Sequence, residues 1–264
     1  LSGALGLRHS DDGEPGIRRR RFGTGFGYRD ATGQPVRDPA TLARIRSLAI
    51  PPAWRDVWIC QDPAGHVQAT GRDAKGRKQY RYHPQWHACR DEAKFSSLVA
   101  FAGRLGAIRE RVDSDLRQRG AGREKVLAAI VWLLDHTLIR IGNETYSREN
   151  RSYGLTTLRR RHLAVEGSRL RFSFVGKSGQ EWKLNLLDRR IARIVRSIGE
   201  LPGQHVFQYL DDGMRRPVQS AGVNAYLRET SGSDYTSKHF RTWGATVLAT
   251  SLFSRTPAPD AARH

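Results

Sequence analysis

Cysteine is nearly absent: Cys60 and Cys89 are the two in 264 residues, with no CxxC pair and no cluster of cysteine and histidine. That pattern excludes a disulfide framework and a zinc-binding motif, fits a reducing compartment, and leaves both thiols as packing residues. No apolar run is long enough to cross a bilayer and no secretory signal pattern is visible, so a cytoplasmic location is expected. Negative charge is scarce too. Against 45 Lys and Arg stand 26 Asp and Glu, giving a formal charge of +19 and a pI near 10.9.

So many unpaired cations repel one another unless a polyanion compensates them, which argues against an enzyme of small neutral metabolites and for a nucleic-acid partner. Arginine outnumbers lysine 38 to 7, a ratio that suits paired phosphate contacts but equally follows from a GC-rich genome, so it carries no weight. The excess is spread along the chain. Residues 1–88 hold 15 basic and 8 acidic side chains, and residues 89–264 hold 30 and 18. With 264 residues, two domains with these bounds are expected, in an α+β chain: a small β-rich N-terminal domain and a larger, mainly helical one.

In the first part, the arginine run Arg18–Arg21 precedes FGTGFGY, where Phe22, Phe26 and Tyr28 alternate as in a strand; the glycines lack the strand-before, helix-after context of a dinucleotide loop. A helix is expected over Thr41–Leu48 and a strand over Asp56–Cys60. Val67–Thr70 and Gln79–Tyr82 read as a hairpin with a basic tip carrying Lys75 and Arg77. Tyr80 and Tyr82 then project from one face amid Arg77, Lys78 and Arg81, and either dock on nucleic acid or pack on the domain's own core.

In the second part, helices are expected from the apolar stripe Phe95–Ala102 onward and over Glu124–Leu138, which is apolar on most sides. Arg140 follows, between Ile139 and Ile141 beside a glycine turn. A cation leaving a buried segment needs a partner, either a carboxylate from Asp135 or Glu144 or a phosphate. Residues 155–158 (LTTL) read as a strand. The alternations Leu170–Phe174 and Trp182–Leu186 make a hairpin with Lys177 in its turn. Asp188 caps a helix, His205–Leu210 is extended, and Pro217 opens a helix through Glu229. A last helix, capped by Thr236 or Ser237, carries Lys238, His239 and Arg241 in its first turns; this is either a solvated basic helix end or a site for one phosphate.

The segments KGRKQYRYH, RIGNETY, GLTTLRRRHL, FSFVGKSG, HVFQYL and SKHFRTWGA, in this order and spacing, resemble type IB DNA topoisomerases of the compact poxvirus-like and bacterial branch. The resemblance runs from about Ser2 to Leu252. It implies a two-lobed clamp around duplex DNA, relaxing supercoils through a 3′-phosphotyrosyl intermediate without cofactor, ATP or metal, in a monomer associated with the bacterial nucleoid. Arg140 and Arg241 resemble the two catalytic arginines and Lys177 the hairpin lysine acting as general acid. Gln79, Tyr80 and Tyr82 match a DNA-contacting strand, and Tyr146 a tyrosine that touches DNA near the cleavage site.

One feature of the family is missing. Its members attack with a tyrosine well downstream of the second arginine, preceded by a histidine, whereas Tyr235 is the last tyrosine here and His264 follows Arg241 closely. The tail TPAPDAARH reads as a connector. These 264 residues are therefore expected to bind duplex DNA without forming a covalent link. The alternatives are a DNA-binding clamp without chemistry and a tyrosine-recombinase-like strand transferase, against which Lys238 stands where recombinases carry a histidine.

Overall fold

A computed structural model describes residues 6–256, except for the side chains of Asp91, Ala93, Lys94 and Tyr146. The chain divides into two compact units, residues 1–96 and 97–264.

The first unit is built on a five-stranded antiparallel sheet of order β2-β1-β3-β4-β5, with β1 Ile17–Phe22, β2 Gly25–Arg29, β3 Arg55–Ile59, β4 Val67–Arg72 and β5 Lys78–Tyr82. The FGTGFGY stretch is a tight hairpin instead of one strand: Gly23 turns the chain at φ 56°, a conformation that glycine adopts without a Cβ penalty. Helix α1, Pro39–Ser47, starts where the Asp38 carboxylate accepts the Thr41 N–H at 2.7 Å. It covers one sheet face, where Ile17, Ile45, Val57, Ile59 and Ala69 are buried together. On the opposite face Trp58, Cys60 and Val67 pack with Tyr82. There Gly16 is required, because a Cβ on it would overlap the Trp58 indole.

Helix α2, Pro84–Leu116, contains the division between the units. In the second unit, Phe101, Leu105, Ile108 and Val112 of α2 share a core with α3, Arg123–Thr137, whose residues Val126–Val131 and Leu133–Leu134 are all buried. Each buried Val, Leu or Ile side chain contributes about 1.5–3 kcal/mol, which makes α3 the natural centre of this unit. Three short elements follow: α4, Glu144–Asn150, and two 3-10 turns, Leu155–Thr157 and Arg160–His162. A three-stranded antiparallel sheet comes next, with β6 Leu163–Glu166, β7 Arg169–Val175 and β8 Glu181–Leu187. The chain then runs through α5 Arg189–Glu200, β9 Gln208–Asp211, β10 Met214–Pro217, α6 Ser220–Ser231 and α7 Ser237–Phe253. Asp188 caps α5 as its sequence implies, accepting the Ile191 N–H at 2.8 Å.

Two expectations fail here. The LTTL segment is not a strand: Thr156 Oγ1 donates to the Ile141 carbonyl, Thr157 Oγ1 accepts the Gly154 N–H, and these side-chain bonds replace a ladder. Nor does Pro217 open a helix. It ends β10 opposite Gln208, since a fixed φ and a missing N–H suit a strand end as well as a first helical turn. Among the buried polar groups, Asp115 is fully served: the Tyr226 hydroxyl, Arg111 and Gln118 donate to it at 2.8, 2.9 and 2.8 Å, tying α6 to α2.

Candidate active site

Helix α3 ends because Leu138 turns to φ 56°, ψ 17°, a left-handed cap in which its N–H donates to the Leu134 carbonyl. That reversal ejects the chain as the irregular segment Leu138–Asn143, carrying Arg140. The Leu138 carbonyl accepts a hydrogen bond from the Arg241 guanidinium of α7. Its side chain lies against Gly244, where an added Cβ would overlap the leucine's Cδ2. Glycine at position 244 therefore sets how near α7 comes, and hence where Arg241 stands. Burial holds the Arg241 proton affinity below the usual arginine range, and the neighbouring charge of Arg140 lowers it further. The structure thus brings the two arginines into one electrostatic neighbourhood.

Both carboxylates that could have neutralised Arg140 are engaged elsewhere. Asp135 accepts two hydrogen bonds from Arg109 at 2.8 and 3.2 Å, and Glu144 binds Arg159 at 3.0 Å. Among the described residues the exposed Arg140 side chain makes no hydrogen bond or ion pair. Two guanidiniums that feel each other's charge, with no carboxylate partner among the described residues, are held at a cost that an anion would relieve.

A short strap joins this segment to the hairpin. Leu155 and Thr156 donate backbone bonds to the Arg140 and Ile141 carbonyls at 2.8 and 2.7 Å, and Tyr153 N–H donates to the Val175 carbonyl at 2.8 Å, at the end of β7. The strap fits because Gly142 and Gly154 cross closely. A Cβ on Gly154 would fall on the Arg140 carbonyl oxygen, and Gly142 sits at φ 95°. Two residues past Val175, Lys177 opens the loop between β7 and β8, as its sequence implies, with Ser178 and Gly179 both at positive φ. Lys177 is exposed and unpaired among the described residues. Gly176 before it admits the Trp182 indole, which stacks on Phe174 at 5.9 Å and stiffens the stem.

The start of α7 differs in detail from a bare phosphate cradle. His239 Nδ1 accepts the Thr236 N–H at 3.0 Å, and its ring lies edge-on to Tyr235 at 5.1 Å. One face of this histidine is therefore committed to the fold. The Ser237 N–H donates to Asn224 at 3.0 Å, whereas Lys238 remains exposed. Tyr146 lies in α4, but its side chain is outside the described residues, as are His264 and the rest of the tail after Thr256.

In the first unit, Tyr80 and Tyr82 do share a face of β5, stacked at 5.7 Å with an interplanar angle of 12°. Tyr80 is 43% exposed, while Tyr82 closes the small core around Trp58. Asp73 organises the basic tip: it accepts the Lys75 and Arg77 N–H groups, pairs with the Arg77 side chain at 2.7 Å, and accepts Gln79 Nε2 at 3.0 Å. These donors hold the Asp73 carboxyl down at about 2, the Arg77 bond acting most strongly. Sequence reading missed Asp73, Gly244 and the Leu138 cap. The DxKGR spacing marks an Asx turn, but nothing in one sequence reveals a contact between residues 138 and 244.

The sequence pattern of the eukaryotic DNA topoisomerase I catalytic core matches residues 83–263, well over half of the chain, and that of the bacterial DNA topoisomerase IB N-terminal domain matches residues 25–73. The chain belongs to the type IB DNA topoisomerase family. It is similar to a DNA topoisomerase 1B of Acanthamoeba polyphaga mimivirus, 31% identical over 237 residues that make up 88% of this chain and 70% of that protein. It is also similar to a DNA topoisomerase 1 of rabbit fibroma virus, 26% identical over 63% of this chain and 54% of that protein. A DNA topoisomerase 1 of Mycosarcoma maydis matches at 26% identity over 63% of this chain but 18% of its own length. The chain thus spans about half of the poxviral relative and less than a fifth of the fungal one. Among the described residues no helix is long and apolar enough to cross a membrane.

Proposed function

We propose that Arg140, Arg241 and Lys177 form the phosphate-activating site of an enzyme that relaxes supercoiled duplex DNA by transient cleavage of one strand. The observation that carries this reading is the pair of guanidiniums: Arg241 braced on the Leu138 carbonyl, with Arg140, unpaired among the described residues, close enough for its charge to be felt. In-line attack by a tyrosine oxygen on the scissile phosphorus, with the hydroxyl proton released to water, forms the phosphotyrosyl ester at the 3′ side and breaks the bond to the 5′ oxygen. Charge then grows on the two non-bridging oxygens, where paired guanidinium donors are worth most. The Lys177 ammonium gives its proton to the departing 5′ oxygen. The freed end rotates, and the same steps in reverse reseal the strand. Charge neutralisation by arginine and protonation by lysine need neither ATP nor a metal ion in this scheme.

Duplex binding rests on both basic units, which act as a clamp, with Tyr80, Gln79, Lys75 and Arg77 on the β5 hairpin and Lys238 beside Arg241 as DNA contacts. Tyr146 and the Nε2 side of His239 are further proposed DNA contacts. The protein acts as a monomer on nucleoid DNA. No tyrosine follows Tyr235 in the 264 residues, and the Tyr235 ring is packed against Phe101 at 5.2 Å. On this reading these residues alone bind DNA and hold a phosphate without forming the ester. The test is plasmid relaxation in EDTA without ATP, run on the 264-residue chain and on the full product of its gene. Relaxation by the full product alone is expected. Tight duplex binding with no relaxation by either would identify a clamp without chemistry, and relaxation by the 264 residues would overturn the assignment of the nucleophile.

A further inference from the structure

The arginine run is not used by the proposed site, and the sheet splits it in two. Arg18 and Arg20 pair across the ladder with Arg29 and Gly27, whereas Arg19 and Arg21 pair with Tyr28 and Phe26. Directly opposed residues of an antiparallel pair share a face, so alternate arginines serve opposite sides of the sheet. On the side of Arg19 and Arg21 the structure has a cavity of about 460 Å³ lined by those two arginines, Phe26, Trp54, Arg55 and Asp56, among others.

The groups around this cavity differ in how much freedom they keep. Arg19 is spent on the fold: its guanidinium donates to the carbonyls of Ile50, Pro51 and Trp54 and lies 4.1 Å over the Phe26 ring. Phe26 is nevertheless 38% exposed, so part of its ring remains available. Arg21, Arg55 and Asp56 are exposed, and beyond the backbone pairing of the ladder their side chains make no hydrogen bond or ion pair among the described residues. Asp56 sits at φ 50°, where the pairing of β3 with β4 shifts register between Arg55 and Trp58. A bulge of this kind breaks the ladder and re-aims side chains next to binding sites. The strand here gives up regular pairing at the point where it borders the cavity.

We propose that this cavity binds an unpaired nucleotide, its phosphate on Arg21 and Arg55, its base against Phe26 and Trp54, and a base amino or sugar hydroxyl group on Asp56. Two free guanidiniums supply fork-shaped donors for a phosphate. The aromatic wall offers the stacking that every base accepts, and the carboxylate takes the donors a nucleoside carries. The volume falls within the range of small-ligand pockets, about 300–1,000 Å³, and suits one nucleotide. A base locked in a duplex stack presents only its edge and cannot enter. The ligand is therefore a free nucleoside phosphate or an unpaired nucleotide of a strand, which share this chemistry. The residues involved are separate from Arg140, Lys177 and Arg241, so this inference stands or falls independently of the proposed reaction.

Calorimetric titration of the full chain with ADP, with pyrophosphate and with a single-stranded oligoadenylate tests it, alongside the Arg21→Gln/Arg55→Gln and Phe26→Leu variants. Both arginines are exposed, so the first variant should keep the wild-type melting temperature. ADP is expected to bind about ten-fold more tightly than pyrophosphate, through stacking. The arginine variant should lose ten-fold or more of that affinity, each charge-assisted contact being worth about that much, and Phe26→Leu should weaken ADP but not pyrophosphate. Binding of the oligonucleotide but not ADP, with the same dependence on Arg21 and Arg55, would assign the site to strand nucleotides. Equal affinity for ADP and pyrophosphate, binding unchanged in the arginine variant, or no binding of ADP or oligonucleotide would overturn the proposal.

Discussion

Arg241 donates a hydrogen bond to the carbonyl of Leu138, and the side chain of the same leucine rests on Gly244, one turn further along α7. One residue thus fixes the height of the second arginine by its backbone and the spacing of its helix by its side chain. Because Leu138 is also the cap that turns the chain toward Arg140, both guanidiniums are referenced to the same point. Position 244 should therefore be sensitive without touching DNA. Gly244→Ala is expected to destabilise the protein by about 1–3 kcal/mol, as overpacking does, and to slow strand cleavage while duplex affinity changes little. Urea denaturation and a single-turnover cleavage assay check this; wild-type values in both would show that α7 has room to move.

Gly154→Ala should be harsher. The atoms its Cβ would meet are backbone, the Arg140 carbonyl oxygen and the Gly142 amide, which cannot rotate away as a side-chain tip can. A loss of roughly 3 kcal/mol or more is expected, read as a lower urea midpoint at unchanged slope. A variant as stable as wild type would mean that the strap from Tyr153 to Thr156 is not closely packed on the Arg140 segment.

Lys177 sits exposed in the five-residue loop between β7 and β8, so its replacement should not unfold anything. Lys177→Ala is expected to slow cleavage about 10²–10⁴-fold, the usual range for a general acid, and to leave salt-sensitive duplex binding nearly intact. A substrate whose 5′ bridging oxygen is replaced by sulfur leaves without needing a proton and should restore most of the rate. Equal defects on oxygen and sulfur substrates would remove lysine from the role of acid.

Acid should weaken the fold through a buried histidine. His162 is 7% exposed, its Nδ1 accepts the Arg159 N–H at 3.1 Å, and its ring lies 4.2 Å from that of Tyr153. Burial holds its pKa below the usual 6.5, with the charges of Arg161 and Arg159 adding to the effect. Because the folded state resists a proton that the unfolded state accepts, the contribution is fully present above about 6.5 and is lost as pH falls below it toward the folded value. His162→Gln keeps an acceptor but not the titration, so it should flatten the fall in stability between pH 7 and 5. An unchanged slope would place the titrating group elsewhere; His205, also depressed by burial and Arg159, and His66, depressed by burial, are the alternatives to replace next.

Much of this was written locally in the sequence. The alternation of Leu170, Phe172 and Phe174 and the turn around Lys177 specify their hairpin because one face must be buried, and Asp188 and Thr236 sit where helix caps belong. The order of the Arg140, Lys177 and Arg241 segments gave the family. Local reading failed where a residue's local chemistry permits two outcomes: Pro217 fits a strand end or a helix start, and the LTTL threonines satisfy the backbone with hydroxyls instead of a ladder. It was blind to contacts across the chain. Nothing near Arg140 foretells that Asp135 and Glu144 are occupied by Arg109 and Arg159, or that a glycine more than a hundred residues away sets the distance to its partner.

The most direct test of the arginine pair is Arg140→Ala in the full gene product, assayed by relaxation of supercoiled plasmid in EDTA without ATP. Arg140 is exposed and unpaired among the described residues, so the variant should melt like wild type and bind duplex DNA with similar affinity. Its relaxation rate should fall by about 10²–10³-fold, the loss usual when a donor to transition-state charge is removed. A variant that relaxes plasmid at the wild-type rate would contradict the account.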